Sequence, residues 1–306
     1  MRNKRMRFSG LISLFRAKPA EAGVSSWVGE YVLKKSARAF NDYVADNTVA
    51  GIRNKANNGD VEAQYMLGLI YHDGKEDEGV SQNYSEALRW LRMSSEGGYA
   101  PAQYRLGLMY YNGEGVLENN EEAFNLFLKS AHQAYADAQF KVACMYYEGK
   151  GTSKNYDEAF KWFRLVSKRD IPEAIEAKAK LGIMYCRGEG VQKNYDEALK
   201  LLREAAKKNI AEAQCELGVM YRNGYGVTQD YSEAVKWYRK AAEQGHARAQ
   251  NNLGWMYQYG YGVTQDKAEA VKWYRKAAEQ GYARAQCNLG VGDDLTCCAL
   301  RNFACR

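Results

Sequence analysis

Apolar residues recur along this chain at the spacing of one face of an α-helix. Around residue 217, Ala213, Leu217, Gly218 and Tyr221 stand at positions i, i+4, i+5 and i+8, which predicts an amphipathic helix with one buried side. The turn 224–227 contains two glycines and ends this helix, because glycine tolerates the backbone angles of a helix terminus. A second helical stripe follows the turn at Ala234, Trp237, Tyr238, Ala241 and Ala242.

The two helices form a unit that repeats, and the copies align on a Leu-Gly dipeptide. Successive copies are 36 or 39 residues apart, and the third carries Val142-Ala143 in place of Leu-Gly. Repetition at this period is typical of solenoids, in which each unit buries its apolar side against its neighbours. The leucines of the dipeptides are Leu67, Leu106, Leu181, Leu217, Leu253 and Leu289. The pattern predicts an all-α solenoid of about six helix-turn-helix repeats.

Two local signals recur with the unit. Glycine in the middle of a helix costs about 1 kcal/mol relative to alanine, so the recurring glycine at Gly218 predicts close approach by a neighbouring helix. Each second helix begins with Asn or Asp, followed three residues later by Glu, which is typical of a capping box with two satisfied backbone N–H groups. The pairs are Asn83 and Glu86, Asn119 and Glu122, Asn155 and Glu158, Asn194 and Glu197, Asp230 and Glu233, and Asp266 and Glu269.

The unit resembles the Sel1-like repeat, a relative of the tetratricopeptide repeat. The resemblance rests on the Ala-x-x-x-Leu-Gly-x-Met-Tyr stretch, the Gly-x-Gly-Val turn, the Asp/Asn-Tyr-x-x-Ala start and the Trp-Tyr-x-x-Ala-Ala helix, and it covers residues from about 47 to 290. It implies a right-handed α-solenoid of about six Sel1-like, tetratricopeptide-like repeats. It also implies a bacterial protein that serves in signalling, envelope regulation or contact with a host.

The chain divides into four expected segments. Residues 1–24 are a basic leader, residues 25–60 are capping helices and a half-repeat, residues 61–290 are the solenoid, and residues 291–306 are a Cys-containing tail. The leader has the basic and apolar parts of an export signal, but its apolar part, 8–15, is short and is followed by further basic residues. A disordered basic tail or a short surface-binding helix is the favoured interpretation. We expect a cytoplasmic protein, with export as the alternative.

The net charge of +6 resides in the leader. Residues 1–18 hold six basic and no acidic side chains, and the remaining residues balance 37 basic against 37 acidic side chains. A neutral body with a short basic leader is a poor electrostatic match for a nucleic acid, so we expect no nucleic-acid partner. No run of 18 apolar residues occurs, so we expect no membrane-spanning helix.

The sequence contains no pattern of a catalytic, cofactor or metal site. The three histidines, His72, His132 and His246, lie in different copies at different positions, and the seven cysteines show no recurring pairs. We therefore expect no bound metal, no cofactor, no catalytic residue and mostly reduced thiols. Cysteine-rich Sel1 relatives have been proposed as β-lactamase-like or cell-wall hydrolases. That alternative is disfavoured, because neither Ser-x-x-Lys nor Lys-Thr-Gly is present.

A binding groove is expected on the first helices, which line the concave face in tetratricopeptide relatives. Its positions, counted from the Leu of each Leu-Gly pair, lie two before, two after, and five and six after. They are mostly aromatic in the N-terminal half and more polar in the C-terminal half. The candidate binding residues are Tyr65, Leu69, His72, Tyr104, Leu108, Tyr111, Phe140, Tyr147, Arg222 and Trp255.

These positions vary from copy to copy, whereas the Leu, Gly and Ala positions are fixed. Variation with a local aromatic bias is typical of a binding surface, since tyrosine supplies a large contact area at low entropic cost. The same rings could instead pack between neighbouring first helices, and the sequence leaves both interpretations open. We expect a non-catalytic scaffold or adaptor that holds a protein or an extended peptide in this groove.

Overall fold

The computed structural model describes residues 48–290, which form fourteen α-helices, one three-residue 3-10 helix and no β-strand. Each helix packs on the one before it and the one after it, so the expected all-α solenoid of helix-turn-helix repeats is confirmed. The leader 1–24, residues 25–47 and the tail 291–306 lie outside the described residues, and the division into four segments stays a prediction. Within residues 48–290, no helix has both the length and the apolar composition that a bilayer crossing requires.

Six units follow one another, each with a first and a second helix. The first helices are α2 (Val61–Asp73), α4 (Ala100–Asn112), α6 (Ala136–Glu148), α8 (Glu173–Arg187), α10 (Ala211–Asn223) and α12 (Ala247–Tyr259). The second helices are α3 (Tyr84–Glu96), α5 (Asn120–His132), α7 (Tyr156–Val166), α9 (Tyr195–Lys207), α11 (Tyr231–Glu243) and α13 (Lys267–Glu279). Helix α1 (Val49–Asn57) precedes them where the half-repeat was expected, and α14 (Ala283–Leu289) follows them.

The glycine of each Leu-Gly pair packs directly against the second helix of its own unit. A Cβ atom placed on Gly218 would lie 2.5 Å from the ring of Tyr238, and one on Gly107 would lie 2.7 Å from Phe127. Both distances are far shorter than a van der Waals contact, so only glycine allows the two helices to come this close. The close approach predicted from the sequence is confirmed.

Of the two hydrogen bonds of a capping box, only the one accepted by the N-cap side chain forms. The side chain of the Asn or Asp accepts a backbone N–H at the start of every second helix, as Asp230 Oδ1 does from the Glu233 N–H at 2.9 Å. The Glu carboxylate does not bind the N-cap N–H. Glu233 pairs with Lys236 at 2.6 Å, while the Asp230 N–H donates to the Tyr221 carbonyl at 2.9 Å. The second half of the sequence interpretation is therefore wrong, because the preceding first helix supplies the acceptor.

A buried glutamine closes the C-terminal end of a second helix in most units. The Gln250 side-chain N–H donates to the Ala242 carbonyl at 3.1 Å, and Gln139 does the same to Ala131 at 3.0 Å. Each carbonyl lies in the last turn of a helix, where backbone acceptors have no partner within the helix. These glutamines therefore fasten the first helix of one unit to the second helix of the unit before it.

The acidic insert of the first unit folds back onto α1. Residues Glu76–Glu78 form the 3-10 helix, and Glu78 Oε2 accepts the Val49 N–H at 2.7 Å. Its ion pair with Lys75 and this hydrogen bond hold the pKa of Glu78 below its usual value. A carboxylate at a helix N-terminus is favourable because the N–H groups there carry partial positive charge. The insert therefore fastens the first unit to the half-repeat.

Three cysteines lie inside the solenoid as free thiols, namely Cys144, Cys186 and Cys215. Burial raises the pKa of each thiol to about 12. Because the thiolate is the reactive form, such thiols react slowly while the protein stays folded.

Replacing Gly218 with alanine should destabilise the solenoid by about 1–3 kcal/mol, although alanine is the better helix former. The reason is that the Tyr238 ring is fully buried and has no room to withdraw from the new methyl group. Urea unfolding followed by circular dichroism measures the change. Ala143→Gly in the third unit is the matched control, and it should also lose stability, through the helix-propensity difference and the loss of a buried methyl group. A more stable Gly218→Ala protein would contradict the close approach.

Replacing Asp230 with alanine should lower the free energy of unfolding by about 1 kcal/mol, because the Glu233 N–H loses its acceptor. Asp266→Ala, at the same position in the next unit, should have the same effect. Thermal melts of both variants provide the measurement. Unchanged midpoints in both would show that these caps contribute nothing to stability.

Native Cys215 should resist alkylation at pH 8, where a thiol of pKa about 12 is ionised in roughly one molecule in ten thousand. The rate should rise about tenfold for each pH unit between 8 and 10 while the fold persists. Pulsed iodoacetamide labelling with peptide mass spectrometry measures each cysteine separately, and urea-unfolded protein is the control. Rapid labelling of native Cys215, or its recovery in a disulfide, would contradict the expectation.

Candidate functional site

The ten candidate residues lie on five first helices, on the surface that we call the first-helix face. Nine of the ten side chains are partly buried, and His72 is buried with 8% of its surface exposed. A binding position needs an accessible side chain, and this requirement fails for His72. It also fails at the equivalent positions Ala179, Ile183, Cys215 and Asn251, which are buried. The cause is the proximity of neighbouring first helices, some of which contact each other.

The N-terminal aromatic residues pack between elements as well as lining the face. The ring of Tyr104 lies 5.4 Å from Phe127 and 5.3 Å from Tyr135, and burial raises the pKa of Tyr104 to about 12. The ring of Tyr65 lies 5.4 Å from that of Tyr99, the residue just before α4. The sequence left open whether these rings bind a ligand or pack between neighbouring helices, and the observed contacts of these tyrosines favour packing.

In units one to three, side chains five residues after the Leu also connect consecutive units. Their partners stand eight residues after the Leu of the next unit. Tyr147 donates to Glu189 at 2.8 Å, and the Lys150 ammonium lies 3.7 Å from the ring centre of Tyr111. Because each such side chain contacts its successor, the N-terminal part of the face is largely committed to holding the array together.

His72 is the most enclosed of these connections. Its Nε2 lies 2.9 Å from Glu114 and its Nδ1 lies 2.5 Å from Asp73, while the Arg105 guanidinium approaches the ring to 2.8 Å. Burial raises the pKa of Glu114, but the hydrogen bonds from Asn112 and His72 outweigh it and hold the pKa below its usual value. The histidine that sequence reasoning placed in the groove is therefore part of a charged contact between the first two units.

A second row of contacts between units was not found from the sequence. Between units four and five and between units five and six, the residue just before the Leu pairs with the residue five before the Leu of the next unit. Lys180 and Glu212 are 2.8 Å apart, and Glu216 and Arg248 are also 2.8 Å apart with the charges reversed. Burial opposes the charge of Arg248, but the carboxylate of Glu216 outweighs it and raises the pKa of Arg248. The sequence signal that could have predicted these ion pairs is the opposite charge of the residues at the two positions.

The more exposed aromatic surface lies in units five and six, and not in the N-terminal half. Tyr225, Tyr259 and Tyr261 expose 41%, 52% and 38% of their surfaces. The ring of Trp255 lies 5.1 Å from Tyr261 and 5.2 Å from Tyr259. The sequence interpretation of a more polar C-terminal half is thus wrong at this place. Two of these tyrosines stand in the Gly-Tyr-Gly turns, which sequence reasoning treated only as helix ends.

Arg222 completes this aromatic surface. Arg222 stands on α10, in the unit before that of Trp255, and its guanidinium lies 5.3 Å from the ring centre of Trp255. Across residues 48–290, no three His, Cys, Asp or Glu side chains are grouped so that they could hold a metal ion. The arrangement offers stacking and charge to a ligand and is suited to binding.

Comparison with known proteins agrees with the geometry of the units. The Sel1 repeat family model matches residues 61–99, 100–135, 136–171, 175–210, 211–246 and 247–282. These six segments coincide with the six helix pairs. A search of curated protein sequences gives no match.

Two solved structures are similar to the chain. One is c5321, a protective antigen of uropathogenic Escherichia coli strains that displays an SLR fold, with 35% identity and a TM-score of 0.64. The match covers 79% of this chain and 50% of that one, so this chain spans about half the length of the Escherichia coli protein. The other is a Sel1 repeat protein from Oxalobacter formigenes, with 30% identity, 79% and 95% coverage of the two chains, and a TM-score of 0.62.

Sel1 repeats commonly mediate protein–protein interactions, and the family consists in general of non-catalytic scaffolds. Six matched repeats extend over more than half of the residues, in register with the structural units. The chain belongs to the Sel1-repeat family.

Proposed function

We propose that this protein is a non-catalytic scaffold that holds a protein or an extended peptide segment on its first-helix face. The observation that carries the proposal is a comparison of units five and six, residues 211–246 and 247–282. These units differ at nine of their 36 positions, and six of the nine differences lie in the first helices.

The six first-helix differences fall on one side of the helix. They stand five, two and one before the Leu and two, five and six after it, which places them within about a third of the circumference, opposite the Leu. Everything that builds the unit is unchanged, including the Gln, Leu, Gly and N-cap positions. Folding requirements explain the constant positions. The differences two, five and six after the Leu lie at positions that are not buried and favour recognition of a ligand, whereas those before the Leu lie at buried positions or in contacts between units.

The exposed aromatic residues of units five and six support the same proposal. Tyrosine and tryptophan at a surface provide large contact areas, and such residues are enriched among those that dominate binding energy. Large exposed apolar surface is also unfavourable in a solvated protein unless it is covered by a partner. No observation favours the hydrolase alternative. The bacterial relatives are consistent with a role in signalling, envelope regulation or host contact.

We also propose that the solenoid works in a reducing compartment, the cytoplasm, with export through the leader as the alternative. The three unpaired thiols at Cys144, Cys186 and Cys215 support this assignment, since exported proteins more often pair their cysteines. Cys287 is disulfide-bonded, which favours the export alternative.

A photoreactive p-benzoyl-phenylalanine at position 259 should form a covalent adduct with the partner in the native host. The same residue at position 271, on the second helix, should form none. The two positions are a matched pair, because Tyr259 and Val271 expose 52% and 41% of their surfaces. Mass spectrometry identifies the partner, and the purified pair is then tested with Tyr259→Ser and Val271→Ser.

Tyr259→Ser should weaken binding by roughly tenfold or more, as expected for loss of an aromatic anchor. Val271→Ser should leave the affinity unchanged. Adducts that form equally at both positions, or at position 271 alone, would place the binding surface outside the first-helix face.

A further inference from the structure

Arg222 is a charged side chain without a charged partner. None of the ion pairs among residues 48–290 includes it, and its one hydrogen bond runs from Nε to Asn223 Oδ1 at 3.3 Å. The two terminal nitrogens of the guanidinium have no protein acceptor in the described part of the chain. By contrast, Arg187 at the neighbouring position of unit four lies 3.7 Å from Glu216.

The guanidinium lies next to a row of aromatic rings. Tyr231 lies 5.0 Å from Tyr261, Tyr261 lies 5.1 Å from Trp255, and the guanidinium of Arg222 lies 5.3 Å from Trp255. An arginine stacked on an aromatic ring keeps its N–H groups at the edge, where they match the two oxygens of a carboxylate. The contact with Trp255 therefore favours an orientation in which these N–H groups are available to a ligand.

Arg222 also leaves a buried hydroxyl group without a partner. In unit six the equivalent residue is Gln258, whose Oε1 accepts from the Tyr274 hydroxyl at 2.7 Å. In unit five an arginine has no acceptor atom, and the fully buried Tyr238 hydroxyl is unsatisfied. A buried polar group without a hydrogen bond lowers stability. Glutamine would serve the fold better at this position, so the arginine is not explained by folding.

We propose that Arg222 binds the carboxylate of an acidic side chain in the bound peptide. Tyr259, whose ring lies 5.2 Å from Trp255, takes an adjacent apolar side chain of the same peptide. The ligand class is thus an extended peptide with an acidic residue beside apolar ones. This inference rests on the proposed function and names the chemistry of the segment that the first-helix face accepts.

The test uses the full chain and two capped pentapeptides, acetyl-Ala-Leu-Glu-Leu-Ala-amide and its counterpart with Gln in place of Glu. The readout is the indole N–H resonance of Trp255 in a nitrogen-15 NMR titration, assigned with Trp255→Phe. The Glu peptide should shift this resonance with saturation, and the Gln peptide should bind roughly tenfold more weakly, as expected for loss of one charge-assisted hydrogen-bond pair. Equal affinities, or no shift with the Glu peptide, would overturn the assignment.

Arg222→Gln separates binding from folding. It should weaken the Glu peptide roughly tenfold and at the same time raise the melting midpoint, because the Tyr238 hydroxyl gains the acceptor that Tyr274 has in unit six. Arg275→Gln, on the second helix of unit six, is the control and should change neither property. An Arg222→Gln protein that melts lower, or that binds the Glu peptide as well as the wild type does, would overturn the proposal.

Inorganic phosphate at the same ionic strength distinguishes a peptide site from a general anion site. It should shift the Trp255 resonance much less than the Glu peptide does, and an equal shift would overturn the peptide assignment. The photo-cross-linking experiment tests the scaffold function independently of the peptide titrations. Adducts at position 259 with no effect of Arg222→Gln would leave the scaffold function intact and refute only the acidic-peptide class.

Discussion

The close contact between the Leu-Gly glycine and the second helix is the constraint on which the rest of the unit depends. Where the first helix carries Gly218, the ring of Tyr238 fills the place that a Cβ atom would take. The same close pair recurs in five units, and the turn that follows brings the next N-cap N–H onto a first-helix carbonyl. The first-helix side of this contact is glycine in five of the six units, and most of the differences between units five and six lie on the opposite side of the first helix.

The sequence predicted the framework well because each of its signals is local. The helical periodicity of apolar residues, the turn glycines and the Asn or Asp N-caps each act within one unit. All three can be identified directly from the amino-acid sequence. Contacts between units were less accessible. The buried Gln250 amide and the Glu216–Arg248 pair depend on which positions of two helices meet, and that geometry is absent from a single helical pattern.

Exposure on the first-helix face was the hardest property to predict. The position five after the Leu is His72 in unit one and Arg222 in unit five, and sequence reasoning treated both as groove residues. His72 meets Glu114 of the next unit and becomes buried, whereas Arg222 meets the ring of Trp255 and keeps free N–H groups. What the neighbouring unit supplies, more than the residue itself, determines whether a position holds the array together or stays available to a ligand.

Units five and six differ in whether they satisfy the buried tyrosine hydroxyl of their second helix. Their second helices are nearly identical, so Tyr238 and Tyr274 present the same hydroxyl to the first helix. Gln258 satisfies one of them, and Arg222 leaves the other without a partner. Since the better residue for stability stands one repeat away, the arginine is a local departure from what folding favours, and such departures concentrate where a protein binds or reacts. The unsatisfied Tyr238 hydroxyl is therefore the observation that most favours the proposed recognition role of unit five.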